Sequence, residues 1–85
     1  MKPKNRAEWR RLLGRLLKVT WLDACGDHFL EDEILTLASI ESVGWLQAFN
    51  QNTINLAAFR STDTDGGWRY IMAIPIATIE KVRLL

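Results

Sequence analysis

Residues 34–49 run without proline, carry apolar side chains on both parities of a strand, and include Gly44. That stretch is too long for an ordinary flat strand, whose usual length is about five or six residues. A strand with one covered face alternates apolar and polar residues, which this one does not do. Glycine inside a strand marks a bend or a close approach of backbone. Together these features predict a strongly bent strand that belongs to both halves of a small β-barrel.

The segments around it read as the rest of that barrel. Residues 19–22, Val-Thr-Trp-Leu, are β-branched and aromatic and predict the first strand. Residues 23–33 hold Gly26 and five acids with little apolar content, the pattern of an exposed loop. Asn50, Gln51 and Asn52 are turn residues, and residues 53–60 form the next strand. Residues 61–67, STDTDGG, make a polar hairpin tip. Residues 68–74 follow as a fourth strand, with Trp68, Tyr70, Met72 and Ile74 expected on one face. Pro75 interrupts pairing, and residues 76–84 give a short turn and a last strand.

Ahead of the strands, Trp9, Leu12, Leu13, Leu16 and Leu17 repeat at the spacing of a half-buried helix. Asn5 is its expected N-cap, with Glu8 in the reciprocal position three residues on. Gly14 costs a helix interior about 1 kcal/mol against alanine, which points to close packing there. The predicted fold class is therefore mainly β. An N-terminal α-helix (residues 5–18) precedes a five-stranded, strongly bent antiparallel small barrel (residues 19–85), all in one domain, 1–85.

With 85 residues, such a domain buries only about two-thirds of the surface that its unfolded chain exposes. A hydrophobic content of 48% with four tryptophans is generous for that length, and association between copies would use it. The single cysteine, Cys25, allows neither an internal disulfide nor a CxxC metal pair, which fits a reducing compartment. No apolar run approaches the ~18 residues of a membrane span, and the chain opens on no signal-peptide pattern. A soluble, cytoplasmic protein with no membrane partner is expected.

Net charge is +1, but it is unevenly spread. Seven cations stand against Glu8 alone in residues 1–18, a balance of +6, which leaves four cations and nine carboxylates, −5, in the rest. A basic arm on an acidic body suits a phosphate backbone, an anionic surface or the acidic face of another copy. Arg10, Arg11, Arg15 and Lys18 lie on this arm and are candidate phosphate contacts. The alternative is that the apolar stripe caps one end of the barrel and the cations only solvate its outer side.

The windows Gly44-x-Leu46-x-x-Phe49-Asn50 with Asn55, and Ile74 with Ile79 and Val82, carry a resemblance. Their spacing is similar to the two motifs of the Sm/LSm-like (Hfq-like) small β-barrel family, an SH3-like fold. Asn50 stands where that family has aspartate, and Asn55 comes one residue later than the motif asparagine. Pro75 and Ile76 replace the arginine-glycine of the second motif. The order of elements also resembles the family from Asn5 to about Leu84. The runs VTWLDA, SVGWL and IP-x-x-x-I-x-x-V are similar to small uncharacterised phage proteins with an Sm-like fold, implying viral or prophage origin and hence a host cytoplasm.

The resemblance implies a homo-oligomeric ring closed through edge strands 68–74 and 76–84. It also implies binding of RNA or single-stranded nucleic acid, with Asn55 reading a base edge and Asn50 holding the turn. The turn residues Gln51 and Asn52 supply no aromatic platform, and the arginine of the pocket is missing, so both asparagines also read as plain turn residues. Trp45 and Trp68 are the best-placed stacking platforms, with core or interface packing as the alternative.

Other chemistry is weakly signalled. Asp23, Asp27, His28, Glu31, Asp32 and Glu33 match no metal-ligand spacing, and Asp63-Thr64-Asp65-Gly66 lacks the later glutamate of a calcium loop. Cys25 and His28 are near in sequence but have no third group to orient them. No cofactor, no metal site and no enzyme activity are expected. The alternative to nucleic-acid binding is a structural or interaction ring of a phage.

Overall fold

The computed structural model describes residues 1–24, 37–62 and 67–85. A short helix, α1 (Arg6–Arg11), is followed by β1 (Leu16–Ala24), β2 (Leu37–Phe49), β3 (Thr53–Arg60) and β4 (Trp68–Pro75). A 3₁₀ turn, Ile76–Thr78, then leads into β5 (Ile79–Leu84). All pairings are antiparallel in one sheet of order β4-β3-β2-β1-β5. The fold is mainly β, as expected.

The helix starts where the sequence predicts. The Asn5 side chain accepts from the Glu8 N–H at 3.0 Å, and the Glu8 carboxylate accepts from the Lys4 N–H. Replacing Asn5 with alanine is expected to cost about 1 kcal/mol. Urea denaturation would show this as a lower midpoint at unchanged slope.

The helix does not extend over residues 5–18. It ends after Arg11, and Gly14 turns the chain at φ +76, a left-handed conformation that glycine takes without a Cβ clash. Nothing lies within 4 Å of a Cβ built on Gly14, so this glycine serves a turn rather than close packing. Its N–H donates to the Leu46 carbonyl at 2.8 Å, and the Arg15 carbonyl accepts from the Leu46 N–H at 3.0 Å. Those bonds recruit the chain into the sheet, so β1 begins at Leu16 rather than Val19. Leu16 and Leu17 belong to this strand, where Leu17 is buried, and of the helical stripe's remaining residues Trp9 and Leu12 join it in the core while Leu13 is exposed.

β2 runs beside β1 from Leu37 to Trp45 and beside β3 from Trp45 to Phe49, with an irregularity between Leu46 and Ala48. It therefore belongs to two ladders. Gly44 lies at their overlap, where a Cβ would sit 2.8 Å from the Ala57 carbonyl oxygen. Close approach of backbone explains this glycine.

The outermost strands, β4 and β5, are joined by Ile76–Thr78 alone. Across a flat sheet they would stand about 19 Å apart, four strand spacings. Three 3₁₀ residues span only about 6 Å, so the sheet curls strongly at that end. It nevertheless remains open, with no ladder between β4 and β5. The curled side encloses Leu17, Val19, Leu46, Ile54, Ile74 and Val82, and α1 adds Trp9 and Leu12.

β4 departs from simple alternation. Ile74 is buried, but Tyr70 is 77% and Met72 46% exposed, so the expected single apolar face does not form. Tyr70 has φ +55, which breaks the regular strand geometry. The expected acidic loop beyond Ala24, the Cys25–His28 pair, the strand start at Ile34 and the tip residues Asp63 to Gly66 lie outside the described residues. Among the described residues no helix is long and apolar enough to cross a membrane.

Candidate nucleic-acid interface

The β2–β3 turn is built by Asn50. Its side-chain oxygen accepts from the N–H groups of Asn52 and Thr53 at 2.8 and 2.9 Å, and its own N–H donates to the Thr53 carbonyl. This is the side-chain-mimicked turn for which asparagine is suited. The Asn52 carbonyl in turn accepts from the Ile76 N–H at 2.8 Å. That bond ties the β2–β3 turn to the β4–β5 connection.

Against these joined turns lies the segment leading into α1. Lys4, Arg6, Trp9, Asn50, Gln51 and Ile76 line a cleft of ≈ 300 Å³, with Pro3 and Asn5. Lys4, Arg6 and Gln51 are exposed, whereas Trp9 is 3% exposed and offers no open ring face. Two cations thus flank the two turn carboxamides, Asn50 and Gln51. Cations of this kind take phosphate oxygens, Gln51 carries both a donor and an acceptor for a base edge, and Asn50 keeps its amide donor.

The residues expected from the sequence fall into separate settings. Arg10 and Arg11 are exposed on the last turn of α1. Arg15 is exposed just beyond the Gly14 turn. Lys18 lies in β1, partly buried, and pairs with Glu41 of β2 at 3.1 Å, so its charge is partly balanced. Asn50 reaches the cleft, with its side-chain oxygen spent on the turn. Asn55 does not join it. Its neighbours Ile54 and Leu56 are buried, and the Asn55 amide donates to Gln47 Oε1 at 3.4 Å.

Asn55 therefore takes the face opposite the core side chains, as strand alternation requires. Trp45 and Trp68 are partly buried, and the Arg60 guanidinium lies over a face of each, 5.9 and 5.7 Å from their ring centroids. Lys4, Arg6 and Gln51 are the site residues that sequence reasoning passed over. Their only signal was membership of the basic arm and of the turn. Among the described residues no three His, Cys, Asp or Glu side chains gather to hold a metal ion.

Compared with family models, curated proteins and solved structures, the chain matches none.

Proposed function

We propose that this chain is an Sm-like homo-oligomeric ring protein that binds RNA or single-stranded nucleic acid. The observation that carries the reading is the cleft in which Lys4 and Arg6 meet the turn amides of Asn50 and Gln51. Support for the barrel comes from the curled sheet whose outer strands are joined by three residues. Support for the ring comes from its two edges. β4 exposes Ile71 and Met72, and β5 exposes Leu84, so head-to-tail pairing of these edges would cover apolar surface as well as backbone groups. Arg10, Arg11 and Arg15, exposed outside the cleft, add further phosphate contacts.

The test is fluorescence anisotropy with labelled oligo-uridine and oligo-adenine across a range of salt. Replacing Lys4 and Arg6 together with alanine is expected to lower the slope of log affinity against log salt by about 1.4, the value for two lost phosphate contacts on a single strand. An unchanged slope would remove the cleft from the interface.

The apolar edge of β4 favours a second reading, a ring that serves only structural contacts. A stable ring that binds neither oligonucleotide would establish that reading instead.

A further inference from the structure

Outside the cleft, β3 and β4 present the two most exposed aromatic rings among the described residues. Phe59 is 57% exposed and Tyr70 77%, and their rings meet edge to face, centroids 5.3 Å apart at 77°. Such a contact leaves ring faces open to solvent. Tyr70 is also the one non-glycine among the described residues with positive φ, at +55. Glycine adopts that conformation freely, whereas a bulky residue holds it only under strain. Here the ladder passes from Ala57↔Ile71 to Phe59↔Arg69 and leaves Ala58 and Tyr70 unpaired between them. A strained backbone thus holds a ring out in water.

Within the two strands that carry these rings the charge has one sign. β3 and β4 contain Arg60 and Arg69 and no carboxylate. Arg60 is held between Trp45 and Trp68, while the exposed Arg69 stands directly across from Phe59. Exposed rings with an exposed arginine at the paired position suit a polyanion that carries flat groups.

We propose that Phe59 and Tyr70 form a base-stacking platform for single-stranded nucleic acid, with Arg69 taking an adjacent phosphate. This rests on the nucleic-acid reading above and supplies the aromatic surface that the cleft lacks. Every base has a π-face, so a platform of this kind binds with little sequence preference. Selection between bases is left to the amides of the cleft.

The test uses the full chain and a labelled oligo-uridine of about twelve nucleotides, within the range of a small β-barrel site. Tyr70→Gly removes the ring where glycine fits the backbone, and urea denaturation checks that the variant is folded. Its affinity is expected to fall about tenfold, within the effect of losing one base stack, while Tyr70→Phe keeps the wild-type value. Wild-type affinity in a folded Tyr70→Gly variant would overturn the platform and leave the cleft reading standing. Absence of binding by the wild-type protein would overturn both. A fall in oligomer mass with affinity per subunit unchanged would assign the rings to contact between copies, and would equally overturn the proposal.

Discussion

Gly44→Val is expected to destabilise the protein by about 3 kcal/mol or more, beyond the usual cost of added core volume. A Cβ at this position would meet the Ala57 carbonyl oxygen at 2.8 Å, Leu56 Cβ at 3.1 Å and the Ala57 carbonyl carbon at 3.3 Å. None of these atoms is the far end of a flexible side chain, so relief requires β3 to move as a body. Movement would strain the Trp45↔Ala57 and Leu46↔Leu56 pairs and open the core around Leu46, Leu56 and Ala57, which are at most 3% exposed. Valine adds two further methyl groups to that overlap. A domain of this length holds only about 4–13 kcal/mol of stability in all. Urea denaturation should show a midpoint lower by at least about 1 M. An unchanged midpoint would mean that β3 does not press on β2 at Gly44.

Ile71→Lys is expected to convert an oligomer into single 9.8 kDa chains without unfolding them. Ile71 lies on the edge strand, pairs with Ala57 of β3 and is 48% exposed. A lysine there costs the isolated subunit little, within about 0.5 kcal/mol for an exposed position away from special features. At a β4–β5 seam it would place a charge against the neighbour's edge, the device by which edge strands commonly resist pairing. In a head-to-tail ring the same seam recurs at every junction, so one substitution weakens all of them. Sedimentation equilibrium checks the mass, and an Ile71→Lys protein with wild-type mass would remove β4 from the seam. A wild-type protein that sediments as single chains would end the ring reading altogether.

The two edges differ in how open they are. On β5 the Val82 N–H already donates to the Met1 carbonyl, whereas Tyr70, Ile71 and Met72 of β4 are all exposed. A partner strand on β5 would have to displace that bond or pair around it. β4 is for this reason the better edge on which to place the disruptive charge.

The start of α1 was legible because a cap is local: Asn5 and Glu8 act within one turn. The end of α1 was not. Trp9, Leu12, Leu13, Leu16 and Leu17 satisfy helical spacing, but Leu16 and Leu17 also serve as neighbours on a strand, and Leu46, far along the chain, decides between the two. Likewise β3 occupies Thr53–Arg60 as read from the turn before it and the polar tip after it. The bridging of two ladders by β2 followed from its length and from Gly44.

The site divides in the same way. Asn50 was readable as the residue that shapes its turn, because its bonds reach only two and three residues ahead. The meeting of that turn with Lys4 and Arg6 was not readable, since it depends on where α1 packs against the sheet. The tryptophans show the limit most clearly. Trp45 and Trp68 are attractive platforms in the sequence, yet Arg60 sits over both, and a positive φ exposes Tyr70 instead.

Sequence alone determined the strand-rich class, the turn at Asn50, the helix cap and the need for a glycine at position 44, because each depends on neighbours in the chain or on bare backbone geometry. Tertiary structure decided the length of the helix, the face taken by Asn55, the pairing of Lys18 with Glu41 and the choice of exposed rings. Those outcomes depend on hydrogen bonds and packing between residues distant in the chain, for which local spacing carries no signal.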